Sequence, residues 1–292
     1  MITSFSNKSV REVVQFNQKA KARNKAGLFV VEGVKMFLEA PEERIARVYI
    51  AKRAEKDLQE AYGNKLNRVV CEVVADDVFD RMSDTKTPQG ILTLIKQYRY
   101  RLEDLTERKR IRKCTDKNTG KSINVIGGVR AKDLLLLLLE DIQDPGNLGT
   151  IFRTGEAVGV DGIIMSSHTV DIYNAKTIRS TMGSVYRVPF IYTEDICETI
   201  RTLQRKDICV YAAELDGKKY YDEYDYCRAT AFLIGNEGNG LKKETAACAD
   251  GCVSIPMEGQ VESLNAAIAS TVLFYEAYRQ RRNHGAVCGK PR

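Results

Sequence analysis

Histidine occurs only twice in these 292 residues, as His168 and His284, and the eight cysteines form no Cys-x-x-Cys pair, Cys248 and Cys252 coming nearest. A zinc site has few ligands to draw on, and no metal is expected. The cysteines (71, 114, 197, 209, 227, 248, 252 and 288) are scattered, most of them inside apolar segments such as ICVYAA, where a thiol serves as a small hydrophobe. No disulfide is expected. The start, MITSFSNKSVREVVQF, lacks the apolar run of a signal peptide, and nowhere do eighteen apolar residues follow one another. A cytoplasmic location is the default expectation.

Acid is scarce where base is concentrated. Residues 1–25 carry six Lys/Arg against Glu12 alone, residues 101–132 carry ten against four acids, and residues 279–292 carry five against none. The net charge is +6, so the rest of the chain carries −10. Clustered positive charge beside an acidic body suits a phosphate backbone, although charge alone fits solubilising tails equally well.

What is present is ordinary for a folded protein: 43% apolar and 29% charged residues. The length predicts two domains. Over residues 1–100, LFVVEG, RVYIA, VVCEVV and QGILTLIKQ read as strands among helical segments, a small α/β unit. In the first of those helices, Val34, Phe37 and Leu38 share the apolar face. Residues 101–132 form a polar, basic stretch without apolar period, read as a linker or flexible insertion. Over residues 133–292, LLLLLLEDI opens repeated βα units: helix 148–158, strand GIIMSS, helix 173–182, strand VYRVPFI, helix 194–205, strands DICVYAAE and AFLIG, helix 240–247, strand CVSIP and helix 263–282. A mostly parallel sheet with helices on both faces follows, with ligands at the carboxyl ends of its strands.

Three loops stand out. In DPGNLGTIFR, Asn147 is placed to cap a helix, Gly149 leaves its first turn bare, and Arg153 lies one turn further on the same face. In IGNEGNGL, a strand runs into Gly235-Asn236-Glu237-Gly238-Asn239-Gly240, whose glycines let backbone groups approach a flat ligand. Its G-x-x-G-x-G order is not the dinucleotide fingerprint, and TGKS at 119–122 lacks the first glycine and the strand of a P-loop. In SIPMEGQVESLNAA, Ser263 is placed to cap a long helix whose opening turn carries Leu264 and Asn265. Along that helix Ile268, Val272 and Tyr275 form an apolar stripe, while Ala266, Ala267, Ala269 and Ser270 keep another face thin.

The segments N-x-G-x-x-x-R, I-G-N-E-G-x-G-L and I-P-M…S-L-N, in this order, resemble the three motifs of the SpoU (TrmH-like) group of RNA ribose 2′-O-methyltransferases. The likeness covers about 134–282, and the N-terminal unit is more weakly similar to the RNA-binding domain that many members place there. It implies a deep trefoil knot at the C-terminal end of the sheet, despite general rules against knotting. It implies S-adenosyl-L-methionine as cofactor, contacted by Gly235, Asn236, Gly238, Ile255, Met257, Leu264 and Asn265. It implies a catalytic surface of Asn147, Arg153, Glu237, Ser263 and Asn265, with Asn147, Ser263 and Asn265 orienting Arg153 and the ribose and Glu237 holding Arg153 or the loop. The partner implied is structured RNA, rRNA ahead of tRNA, and the assembly a homodimer through the C-terminal domain. Such families are commonly described as using the arginine as base; a guanidinium stays protonated and suits a phosphate better. Two rivals remain: a catalytically inactive RNA-binding protein on the same scaffold, and a nucleotide-dependent enzyme acting on small molecules.

Overall fold

Apolar residues at helical and strand spacing sort this chain into two units in the computed structural model, which describes residues 1–107, 109–115, 122–128, 134–217 and 219–283. One unit comprises Met1–Arg99 and Asp171–Arg187, the other Tyr100–Val170 and Val188–Arg292.

The first unit opens with α1 (Lys8–Gln18), capped by the Asn7 side chain on the Ser9 amide at 2.9 Å, which buries Val10, Val13 and Phe16 at three-residue spacing. There follow α2 (Ala20–Ala26), β1 (Leu28–Glu32), α3 (Val34–Glu39), β2 (Ile45–Ala51), α4 (Glu55–Leu66), β3 (Cys71–Val74), α5 (Asp76–Met82) and β4 (Ile91–Lys96). The four expected strands form one sheet in the order β1-β4-β2-β3, with β4 antiparallel to both neighbours and β2 parallel to β3. In α3 the core takes Met36 and Phe37, whereas Leu38, expected on the apolar face, is exposed. This helix has only six residues, too few for its i, i+4 stripe to decide its orientation.

The second unit begins with α6 (Leu102–Thr106) and the antiparallel pair β5 (Lys109–Thr115) and β6 (Ser122–Gly128). Within the stretch read as a linker or insertion these two backbones pair: the register sets Ile111 opposite Ile126 and Cys114 opposite Ile123, a strand pattern masked in the sequence by interleaved Lys and Arg. Residues 108, 116–121 and 129–132 of the insertion, residue 133, and the basic tail from 284 lie outside the described residues.

The sheet itself runs through β7 (Leu135–Leu139), α7 (Pro145–Val158), β8 (Gly162–Ser166), α8 (Ala175–Thr181), β9 (Phe190–Thr193), α9 (Ile196–Gln204), β10 (Cys209–Ala213), β11 (Lys219–Tyr220), β12 (Thr230–Ile234), α10 (Lys243–Ala246), β13 (Gly251–Ser254) and α11 (Ala266–Asn283). Its seven strands lie in the order β11-β13-β10-β12-β7-β8-β9, every pairing parallel. All residues of β7, β8 and β12 are buried, as covering both faces of a parallel sheet requires. Leu134, Leu136 and Leu138 pack with Ile196, Ile200 and Leu203 of α9, while α11 packs on α7 and β12.

Several boundaries differ from expectation. α7 starts three residues before 148 because Pro145 fits the first helical position and Asp144 caps it. β9 is confined to Phe190–Thr193, since Pro189 has no N–H for a ladder and Ser184–Tyr186 forms a 3₁₀ turn in the first unit. On α11 the stripe of Ile268, Val272 and Tyr275 faces outward, Ile268 and Tyr275 being 51% and 50% exposed, whereas the thin face with Ala266, Ala267 and Ser270 is buried with Leu273 and Phe274. Among the described residues six cysteines are free, no three His, Cys, Asp or Glu cluster around a metal-sized gap, and no helix is long and apolar enough to cross a membrane.

Residues 171–187, counted from sequence with the C-terminal part, complete the first unit. Tyr173 sets its ring 4.4 Å from Phe29 and accepts the Tyr98 amide at 2.7 Å. Arg23, 3% exposed, meets the Asp171 carboxylate at 2.5 Å, and Arg179 meets Asp84 at the surface at 2.6 Å. Removing one partner of a buried pair costs about 3–5 kcal/mol because the other charge stays buried, while exposed pairs contribute about 0.2–1 kcal/mol. Urea unfolding should therefore show Asp171→Ala destabilising the first unit several-fold more than Asp84→Ala; equal losses would contradict this assignment.

Candidate active site

β12 delivers the chain at Ile234 into a loop that folds back on itself. The Asn236 amide donates to the Gly240 carbonyl at 3.1 Å and the Gly240 amide to the Asn236 carbonyl at 3.0 Å. A Cβ on Gly235 would come within 2.3 Å of the Gly240 carbonyl carbon, and Gly240 has φ 67°, so glycine is required at both points. The Asn236 side chain locks the loop: its oxygen accepts the Gly238 and Asn239 amides at 2.9 and 3.0 Å, and its nitrogen donates to the Asp141 carbonyl at 2.7 Å.

This loop presents Glu237 to the start of α7. One carboxylate oxygen accepts the Asn147 side-chain nitrogen at 3.0 Å and the Asp144 amide at 3.1 Å; the other accepts the Gln143 amide at 3.0 Å. Partial burial works against the charged carboxylate, but the Asn147 side chain and these backbone amides outweigh it and hold the Glu237 pKa below its usual value. Glu237 therefore holds the α7 loop, and has no hydrogen bond to Arg153.

Asn147 extends the connection. Asp144, not Asn147, caps α7, accepting the Asn147 amide at 2.8 Å, because a carboxylate directly before Pro145 reaches the first free amides while Asn147 already sits inside the first turn. That leaves the Asn147 side chain free to accept the Asn265 side-chain nitrogen at 2.9 Å. Asn265 in turn caps α11, its oxygen accepting the Ala267 and Ile268 amides at 2.9 and 3.3 Å. The expected cap, Ser263, lies two residues too early to do so, and its hydroxyl has no hydrogen-bond partner among the described residues. Glu237, Asn147 and Asn265, drawn from three distant loops, thus form one hydrogen-bonded chain.

Beside this chain lies a hollow of about 420 Å³ at the carboxyl ends of β10, β12 and β13. Of the residues expected to hold a cofactor, Gly235, Asn236, Gly238, Ile255, Met257 and Leu264 line it, as do Glu237 and Ser263; Asn147, Arg153 and Asn265 do not. Arg153 is exposed about 9 Å further along α7 by helical rise, with no ion pair or hydrogen bond among the described residues. The sequence reading missed Glu214, Leu215 and Asp216, which follow β10 and form another wall. Their signal was available: DICVYAAELDG ends a strand at the same sheet edge as the two glycine-bearing loops.

The lining suits a flat ligand carrying positive charge. Leu215, Ile255, Met257 and Leu264 offer apolar surface, Gly235, Gly238 and Gly240 offer backbone groups with no side chain in the way, and Glu214, Asp216 and Glu262 offer negative charge. Behind the loop, buried Glu140 accepts the Lys242 amide and the Thr245 hydroxyl at 2.9 and 2.6 Å. Asp141 meets Lys242 at 2.9 Å; burial opposes its charge, but Lys242 and Ser166 together lower its pKa.

Comparison with known proteins agrees with this geometry. Residues 134–275 match the SpoU rRNA Methylase family and residues 7–93 the MRM3-like substrate binding domain. The chain is 28% identical over 278 residues, 94% of its length and 97% of the relative's, to the 23S rRNA (guanosine(2553)-2′-O)-methyltransferase of Bacillus subtilis. It is similar in structure to the SpoU methyltransferase AviRb from Streptomyces viridochromogenes in complex with the cofactor AdoMet (TM-score 0.78, 25% identity, 95% of this chain and 100% of that one). It is likewise similar to an AdoMet-bound rRNA methyltransferase from Sinorhizobium meliloti (TM-score 0.75, 27% identity, 97% of both chains). Residues 134–275, which hold all three loops that meet here, therefore form a domain of the SpoU rRNA Methylase family, preceded in sequence by an MRM3-like substrate binding domain.

Proposed function

We propose that the chain transfers a methyl group to a ribose 2′-hydroxyl of ribosomal RNA, working in the cytoplasm as a homodimer. The observation that carries this reading is the Glu237–Asn147–Asn265 chain set against a hollow with acidic and apolar walls. S-adenosyl-L-methionine, bound in that hollow, supplies an electrophilic methyl on a positively charged sulfur. The residues fit such a group: carboxylates for its ammonium and sulfonium, and the loop glycines with Leu215, Ile255 and Leu264 for its flat and apolar parts.

The protein's task is then positioning, which can lower a barrier by about 7–11 kcal/mol when two reactants are held in line. Ser263, exposed on the rim with its hydroxyl unengaged among the described residues, is placed to hydrogen-bond the incoming ribose. The Arg153 guanidinium takes an RNA phosphate and offsets charge growing on the ribose oxygen. Its lack of any partner among the described residues leaves it available for that role. Glu237, Asn236 and Asn147 are positioning residues, since the polar atoms of their side chains are already committed to the loops.

The outward stripe of Ile268, Val272 and Tyr275 on α11 supports the homodimer, because large apolar side chains repeated along an exposed helix face favour a covering surface. The thin face, used inside the chain, does not supply that interface.

The activity is tested by incubating the chain with ribosomal RNA and labelled S-adenosyl-L-methionine and mapping ribose methylation by mass spectrometry; no label in RNA would overturn it. In the same assay Arg153→Ala should lower turnover by about 10²–10³, the usual loss when one charge-stabilising donor is removed, with cofactor affinity by calorimetry unchanged. Because Glu237 has a lowered pKa when folded, it contributes stability at neutral pH that disappears as pH falls through that value. The melting temperature of the unaltered chain should therefore drop more steeply below the ordinary glutamate value of 4.5 than that of Glu237→Gln; parallel curves would sink this assignment. Tyr275→Glu should halve the sedimenting mass.

A further inference from the structure

A second hollow, of about 480 Å³, opens in the first unit and is lined by Phe5, Val10, Arg11, Val14, Gln15 and Arg81. We propose that it receives one unstacked nucleobase of the RNA substrate, with Arg11 and Arg81 on the adjoining phosphates; this rests on the RNA reading above. Three features argue for a base.

The first is a preformed stacking surface. Phe5 is 51% exposed, an unusual position for a phenyl ring in a segment that is otherwise tied down. The Ser4 and Ser6 hydroxyls bond at 2.7 Å, the Asn7 amide donates to the Ser4 carbonyl at 3.1 Å, and Arg11 donates to the Ser6 carbonyl at 2.6 Å. These bonds fasten the residues on either side of Phe5, so a stacking partner would order its side chain and not the backbone. The second is the floor, where Val10 and Val14, one helical turn apart, give an apolar bed, and Gln15 beside them carries both a donor and an acceptor suited to a base edge.

The third is charge. Among the described residues no carboxylate lines the hollow; on the same helices Glu12 pairs with Lys8 at 3.9 Å and Asp80 with Arg53 at 2.5 Å, while exposed Asp77, one turn before Arg81, is outside the lining. Arg81 is exposed without an ion pair or hydrogen bond among the described residues. A mostly apolar hollow lined by two arginines complements a nucleotide, which is flat and apolar on its faces and anionic at its ends.

The test uses the full chain and an in vitro transcript of 23S rRNA. Phe5→Ala should weaken RNA binding by between about fivefold and 150-fold, the range for losing one stacked base. It should raise KM with kcat unchanged, and Phe5→Trp should keep the affinity. Arg81→Gln should reduce the slope of log affinity against log salt by about one. Cofactor binding should be unchanged in all three. If Phe5→Ala and Arg81→Gln bind and methylate the transcript like the unaltered chain, the hollow is not an RNA site and the activity reading stands. If the unaltered chain methylates no transcript, the activity reading fails and takes this proposal with it.

Discussion

A carboxylate can only accept hydrogen bonds, and that one-sidedness of Glu237 organises the site. Because Glu237 accepts, Asn147 must turn its nitrogen toward it and its oxygen away. That oxygen then requires a donor, so Asn265 presents its nitrogen and is left with an oxygen, which is what the first amides of α11 need. One charge thus sets the orientation of two amides and the start of a helix. Replacing the carboxylate with a group that also donates would remove the reason for every orientation downstream.

The same loops carry backbone strain that neighbouring groups offset. Asp141 sits at φ 57°, a left-handed conformation costing a residue with a Cβ about 1–2 kcal/mol. Its carbonyl is taken by Asn236, its amide by Ser166, and its carboxylate by Lys242 and Ser166. Lys242 is itself held through its amide by buried Glu140. The turn that ends β7 and the loop that follows β12 are therefore fastened to each other, and neither conformation would persist alone.

Much of this was legible in the residues. Long apolar runs such as LLLLLL and TAFLI mark strands buried on both faces, and glycine-rich segments directly after them mark the loops. What escaped had identifiable physical causes. Asp144, Asn147, Ser263 and Asn265 are all competent helix caps, so only backbone geometry decides which of two neighbours serves. Both the Ile268-Val272-Tyr275 face and the Ala267-Ser270-Phe274 face of α11 satisfy helical spacing, and a period alone does not say which one turns inward. The two-residue strand β11 has no pattern of its own, because its placement comes from the neighbouring strand, whereas the wall at Glu214–Asp216 was marked only by its position after a strand. The basic hairpin hid its alternation behind lysines and arginines.

The membership of residues 171–187 in the first unit has a consequence for how this protein can be taken apart. The polypeptide passes from one body to the other at Arg99, returns at Asp171 and leaves again at Arg187. A fragment ending at Arg99 would leave buried Arg23 with the Phe16 and Asn17 carbonyls but without the Asp171 carboxylate, and would strip Phe29 of the Tyr173 ring. Recombination that exchanges one half as a cassette has no clean joint to cut, so the two bodies are inherited together.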